Sequence, residues 1–361
     1  MLSWSGRLRL LAERFVPART SSDDESLESF AIRRFGRQAF ERLIQPLVSG
    51  IYTADPAKLS LKATLPRFLD MERTHGSVIR AARAHRKSEL AESRESDDRS
   101  SGSGARFGLF TTAARGLGSL VAAAEIWLKK SGRVTIRTGC EAAEIRPDSD
   151  AGTRWTLTPR SGPPEKFDAM IVTLPAYIAA QLMRLPALHE LAAELMAMEY
   201  ASSAIVLSGH RLSDFAHPMD AFGLVIPSIE RRRILAVSFS SRKFANRAPE
   251  GQVLLRTFVG GAMQPELLQR DDDAISAMVS EELRQIFGMS VEPMFSEVVR
   301  YNNAMPQYHV GHLDRVARIA ALQSTFPGLQ LAGNAFSGVG IPDSIASGRD
   351  AADRILVNVA T

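Results

Sequence analysis

The stretch Leu329-Gln-Leu-Ala-Gly-Asn-Ala-Phe-Ser-Gly-Val-Gly-Ile-Pro-Asp-Ser-Ile-Ala-Ser-Gly-Arg-Asp-Ala-Ala-Asp-Arg-Ile355 constrains this chain more than any other. Its apolar start predicts a short strand over 329–332, and Gly333, Gly338 and Gly340 then space out a loop. After Pro342 a helix follows, capped by Asp343 or Ser344, with Ile345, Arg349, Ala352 and Ile355 at helical spacing. A strand, a glycine loop and a helix N-terminus let backbone N–H groups approach a bound group closely, at the end of the helix dipole that favours electron-rich atoms. An ordinary tight strand-to-helix turn fits the spacing equally well.

Gly333-Asn-Ala-Phe-Ser-Gly-Val-Gly-Ile-Pro-Asp-Ser-Ile-Ala-Ser-Gly-Arg-Asp-Ala-Ala352 resembles the closing signature of the protoporphyrinogen oxidase family, which includes a coproporphyrinogen-oxidising bacterial branch. These are FAD enzymes of the flavin amine-oxidase fold. The resemblance implies that this loop and helix lie against the isoalloxazine ring. It implies cofactor-binding roles for Gly333, Asn334, Val339, Gly340 and Ile341, and places the backbone of Ala142 at the adenine end. A second block, residues 25–60, is similar to the same family and implies a helical domain that lies near a membrane and walls the substrate channel. A third combines His217 to Pro227, Phe239 to Gly251 and Thr257 to Gly261, with Pro306 to His312 completing the match. It implies that Phe222, Gly223, Val225, Ser238 and Phe258 wall the substrate, with Phe258 stacked on a pyrrole ring. Spacing alone makes Phe222 and Phe258 sheet core.

The fold class read from these blocks is α/β (α+β): an incomplete FAD-binding Rossmann-like domain, an antiparallel-sheet substrate domain and a helical domain. The expected boundaries are 1–105 helical, 106–180 FAD-domain segment, 181–320 substrate sheet and 321–361 C-terminal FAD-domain segment. Ser22 with Glu25 reads as a capping box, Gly36 as a helix break, and Leu59 to Lys87 as continuous helix. The Arg33-Arg34 pair reads as surface charge. Ser88 to Gly104 is polar and reads as a loop. Helix is expected from Arg115 to Lys130, and strands at Val134–Thr138, Trp155–Thr158 and Phe167–Leu174. An antiparallel set is expected at Ser203–Ser208, Phe222–Pro227, Ile234–Ser240, Val253–Gly260 and Ser296–Tyr301, covered by one helix from Glu266 to Phe287.

Composition narrows the partners. A net charge of +4 over 361 residues, with no basic run interleaved with aromatics, argues against nucleic acid. An anionic small molecule or weak contact with an anionic membrane surface fits better. The single Cys140 rules out an intramolecular disulfide, so a reducing, cytoplasmic setting is expected, with peripheral membrane contact allowed. The N-terminus lacks the apolar core of a signal peptide. The apolar stretch Ala169–Met183 is cut by Pro175.

Oxidising a porphyrinogen removes hydride from a ring carbon and protons from pyrrole nitrogens, chemistry that a flavin supplies. The protein then needs apolar walls and a cation for propionates rather than a triad, and no Ser/His/Asp set or metal constellation stands out. His309-x-x-His312 lacks a third ligand. Gly102-Ser-Gly104 with Gly108 has the wrong spacing for a dinucleotide loop. No strand-G-x-G-x-x-G-helix element precedes these blocks, and Met1 aligns inside relatives rather than at their start. The expected function is FAD-dependent oxidation of coproporphyrinogen III or protoporphyrinogen IX in haem biosynthesis, in an N-terminally shortened form, with oxygen or another acceptor taking the electrons. The alternative is a flavin-free porphyrin-binding or partner-dependent protein of the same fold. An amine oxidase is a weaker third reading, because no aromatic cage is visible.

Overall fold

Three apolar clusters organise the computed structural model, which describes residues 2–95, 112–148, 155–289 and 291–359. The first is helical. It comprises α1 (Trp4–Leu11), α2 (Leu27–Phe35), α3 (Arg37–Ala39), α4 (Gln45–Tyr52), α5 (Leu61–Thr64), α6 (Pro66–His75) and α7 (Val78–Glu95). Leu27, Phe30, Val48, Leu59 and Leu61 form its centre. The helix expected from the Ser22/Glu25 box starts later. Ser26 caps α2, accepting from the Ser29 N–H at 3.2 Å, while the Glu25 carboxylate is taken by Arg33. Gly36, at φ +87°, ends α2 as its sequence implied. The expected single helix over 59–87 is three: Pro66 keeps Leu65 out of helical geometry, and Gly76 closes α6 at φ +67°. In the opposite sense α7 runs on to Glu95, through part of the expected loop, whose remainder lies outside the described residues.

Arg33 and Arg34 are not surface charge. Arg34 is fully buried; its Nε donates to Glu13 Oε1 at 2.8 Å and its Nη groups donate to the carbonyls of Val16 and Gly76. Glu13 in turn accepts from the Ser77 hydroxyl and from the N–H groups of Val78 and Ile79 at the start of α7. Arg33 grips Glu72 at 2.6 Å and Glu25 at 2.7 Å. Buried charges persist only when paired and hydrogen-bonded, and here two arginines satisfy three carboxylates that join the α1 end to α2, α6 and α7.

The second cluster is layered α/β. The helix α8 (Gly118–Lys130) contributes no buried residue. The expected strand at 134–138 does not form; those residues are exposed and pair with no strand among the described residues. The strands β1 (Ala142–Pro147), β2 (Trp155–Pro159) and β3 (Glu165–Phe167) form an antiparallel sheet in that order, followed by β4 (Met170–Val172), α9 (Ala176–Leu182) and α10 (His189–Met196).

The third cluster belongs to a five-stranded antiparallel sheet. Its members are β5 (Tyr200–Arg211), β6 (Gly223–Val225), β7 (Ala236–Phe239), β8 (Gln252–Gly260) and β9 (Phe295–Pro306), in spatial order β6-β7-β8-β5-β9. A short α11 (Ser240–Lys243) follows β7. The covering helix α12 (Asp272–Phe287) starts later than expected: Asp271 caps it, accepting from the Ala274 N–H at 2.8 Å, and 265–269 form a separate 3-10 turn. Val253, Leu255 and Val259 point under α12, where Ile275, Val279 and Leu283 meet them. The chain returns through α13 (His312–Ser324) and β10 (Leu329–Leu331) to α14 (Ile341–Val359). There β10 pairs in parallel with β4, Leu331 opposite Val172, within the second cluster.

Candidate functional site

After β10 the chain turns at Gly333, where φ is +126° and the N–H donates to the Ser347 hydroxyl at 3.0 Å. Gly338 follows at φ +135°; a Cβ there would lie 2.5 Å from Asp343 Cγ, because the Asp343 side chain folds back over the loop. The helix α14 begins at Ile341, so Asp343 and Ser344 sit inside its first turn instead of capping it. The Ser344 N–H bonds to the Gly340 carbonyl.

The loop is held from the connection between β9 and α13 and from the first residue of α13. The Tyr308 hydroxyl donates to the Asn334 carbonyl at 2.7 Å and accepts from the Gly338 N–H at 2.8 Å. The His312 ring stacks on Tyr308, centroids 3.9 Å apart and planes 13° apart, and its Nε2–H donates to the Phe336 carbonyl at 3.0 Å. Burial pushes the Tyr308 phenol up to about 12. Burial also holds His312 below its ordinary value, so both rings are neutral near pH 7. His309 instead lies 3.5 Å from the Glu199 carboxylate. Among the described residues no group of three His, Cys, Asp or Glu is placed to hold a metal.

Helix α4 brings the loop and the sheet together. Val339 packs against the helical cluster that contains Val48 and Tyr52. Burial, and then the Asp343 charge, raises the Tyr52 phenol. Two residues before it, a Cβ on Gly50 would lie 3.8 Å from Val225 Cγ1 and 4.0 Å from Ala236 Cβ. The segment that leads into α4, Phe40–Ile44, is a π-helical turn, a feature frequent at functional sites.

The strand register settles which side chains share the wall. Gly223 pairs with Ser238, and Ser238 with Arg256; Val225 pairs with Ala236, and Ala236 with Phe258. Paired residues project to one face, so Gly223, Val225, Ser238 and Phe258 lie on the face opposite α12. Phe222 is 69% exposed and is not sheet core. Gly223 has a backbone reason to be glycine: φ is +149°, and a Cβ would lie 2.3 Å from the Val237 carbonyl oxygen. Ala142 opens β1 opposite Pro159 and packs against the cluster that also contains Ala335.

The expected positions thus fall into two groups, a glycine loop and a sheet face, joined through α4, with Ala142 in the adjoining layer and Phe222 exposed just before β6, outside the paired face. Tyr308, His312, Tyr52 and Gly50 had no role assigned from sequence. Tyr308 and His312 lay inside the Pro306–His312 block, which was the available signal.

The profile of the flavin-containing amine oxidoreductase family matches residues 1–356. The coproporphyrinogen III oxidase of Bacillus subtilis (strain 168) is 34% identical over 358 residues, covering 97% of this chain and 71% of its own length. That of Staphylococcus aureus (strain NCTC 8325 / PS 47) is 29% identical over 344 residues, covering 95% and 71%. Among solved structures, a chain from Exiguobacterium sp. 255-15 assigned as a protoporphyrinogen oxidase superposes with a TM-score of 0.80 at 27% identity, over 99% of this chain and 73% of that one.

Proposed function

The chain belongs to the flavin-containing amine oxidoreductase family, and from that premise we propose that it oxidises a porphyrinogen, coproporphyrinogen III or protoporphyrinogen IX, to the porphyrin in haem biosynthesis. FAD is the flavin and oxygen, or another acceptor, takes the electrons. The single observation that carries this reading is the meeting at α4 of a glycine loop and the sheet face opposite α12, through Val339 on one side and Val225 on the other.

The residues present fit the ring end of a flavin. The carboxyl ends of the parallel strands β4 and β10 open beside the start of α14, the place where α/β sheets bind ligands. Ile341 and Ile345 expose apolar side chains there, and a Cβ on Gly333 would meet only the Thr173 carbonyl, at 3.9 Å. When bound, the flavin supplies the hydride acceptor. Gly333, Asn334, Val339, Gly340 and Ile341 would border its ring, and Ala142 its adenine end. Phe222, Gly223, Val225, Ser238 and Phe258 would hold the macrocycle and keep water from the face where it is oxidised.

A second reading, a porphyrin binder without flavin, is favoured by one observation. The helix α8 leaves Val121 and Trp127 exposed, and among the described residues β4 with β10 makes a parallel sheet of two strands, a kind of sheet that is ordinarily larger and covered on both faces. The two readings separate in one experiment. The purified chain is scanned in the visible before and after adding FAD, then given coproporphyrinogen III while porphyrin fluorescence is followed. A flavin band with accelerated porphyrin formation supports the oxidase. Porphyrin binding with no flavin band supports the alternative.

A further inference from the structure

The sheet face that carries the wall positions also carries a cation with no ion pair among the described residues. Arg256 on β8 is opposite Ser238 on β7 and Leu207 on β5, so its side chain leaves the sheet on the same face as Gly223, Ser238 and Phe258. Its guanidinium carbon lies 5.6 Å from the Phe258 ring centroid. Beyond that ring it has no side-chain hydrogen bond or ion pair with any described residue. Other arginines around this sheet differ: Arg232 and Arg233 grip Glu282, Arg284 grips Glu281, and Arg300 grips Asp272. Glu297 shares the face of Arg256, but Leu207 on β5 stands between them. Two strand spacings separate their backbones, about 9–10 Å.

A guanidinium carries five N–H donors in a planar fork, and a half-buried position strips part of its hydration, a cost that a bound anion returns. Its fork matches a carboxylate. Resting on the porphyrinogen reading above, we propose that Arg256 is the carboxylate-recognising residue of the substrate face, taking a propionate of the macrocycle while Phe258 stacks on the pyrrole ring that bears it. This makes Arg256 a specificity residue. Coproporphyrinogen carries a propionate on all four pyrrole rings and protoporphyrinogen on two, so more orientations of the former satisfy Arg256.

The test uses the full chain and three fluorescent probes: coproporphyrin III, protoporphyrin IX and the tetramethyl ester of coproporphyrin III, which has no free carboxylate. Binding is read by fluorescence anisotropy for the wild type, R256M and R256K, with thermal melts confirming that each variant folds. R256M is expected to lose about tenfold in affinity for coproporphyrin III, less for protoporphyrin IX, and nothing for the ester. R256K, which keeps the charge, should recover part of the loss and decides the matter if R256M does not fold. Equal coproporphyrin binding by the wild type and the variants overturns the proposal. So does an equal loss for the ester, which would make Arg256 a packing residue. A wild type that binds none of the three probes removes the porphyrinogen reading itself, and the proposal with it.

Discussion

The Tyr308 hydroxyl donates to the Asn334 carbonyl at 2.7 Å, across 26 residues of sequence, and in the same place accepts from the Gly338 N–H. One buried phenol thereby fixes both limbs of the glycine loop. The stacked His312 ring, bonded to the Phe336 carbonyl between them, immobilises the phenol. A loop of glycines has high conformational entropy when free, and these bonds restrict it to the shape that presents Val339 to Ile341.

Y308F should therefore loosen the loop more than it loosens the fold. The expected result is a stability loss of about 1 kcal/mol and a fall in FAD affinity of roughly tenfold, measured by urea unfolding and by flavin absorbance titration. An FAD affinity equal to wild type would sink the positioning role.

G223A tests the wall. Its Cβ would press into the Val237 carbonyl oxygen, which belongs to the paired strand and cannot move aside as a side chain can. We expect a loss of about 2 kcal/mol or more, accompanied by loss of porphyrin binding. A variant as stable as wild type by thermal melt would contradict the observed pairing of β6 with β7.

The Glu13–Arg34 network should set acid stability. Burial raises the Glu13 carboxyl, but the hydrogen bonds from Ser77, Arg34, Val78 and Ile79 outweigh it and hold the group below its ordinary 4.5. Glu72 is lowered in the same way, burial being outweighed by Arg33 and by the Arg19 N–H. A folded value below the unfolded one gives stability that is present above pH 4.5 and drains as pH falls below it. R34M removes one side of a buried pair and should cost about 3–5 kcal/mol at pH 7, with a shallower acid dependence than wild type by urea unfolding. A cost near zero would refute it.

His210 works over a different window. It is buried beside Ser208 and Phe215, and burial, opposed only by Asp214, pushes it down from 6.5 to about 4. The unfolded chain takes up a proton first, so stability is full above pH 6.5 and falls by up to about 3 kcal/mol toward pH 4. Comparing H210F with wild type isolates this contribution from other titrating groups. Parallel stability curves between pH 7 and 4 would dismiss it.

Peripheral membrane contact has a specific candidate surface. Trp4, Leu8, Leu11 and Phe15 are exposed at helical spacing along and just past α1, with Arg7 over Trp4 and Arg14 over Phe15. Among the described residues no helix is long and apolar enough to cross a membrane. Sedimentation with vesicles containing an anionic lipid should capture the chain, and the triple change W4S, L8S, L11S should abolish capture. Equal capture of both proteins would exclude α1.

Much of the architecture was legible because its causes are local. The 329–355 strand, loop and helix, the break at Gly36 and the five antiparallel strands follow from short-range alternation, glycine positions and turn residues. Helix starts were less legible, since Ser22, Ser26, Asp271 and Asp343 offer similar capping chemistry, and neighbouring contacts select among them. Val134–Thr138 had the composition of a strand but no pairing edge, and a strand without a partner leaves its backbone to water. The two arginines at 33 and 34 had the composition of a surface and became the centre of a charge network.

The amino-acid order by itself determined the elements, the glycine positions and the family resemblance, because each depends on a few adjacent residues. Only the tertiary structure decided what those elements do to one another. Tyr308 holding Asn334, Gly50 lying against Val225, Arg34 buried against Glu13, Glu72 and Gly76, and Arg256 set opposite Ser238 and Leu207 all join residues far apart in the chain. Such contacts form where apolar burial and the pairing of buried polar groups are satisfied together, and that balance exists only when the whole chain is packed.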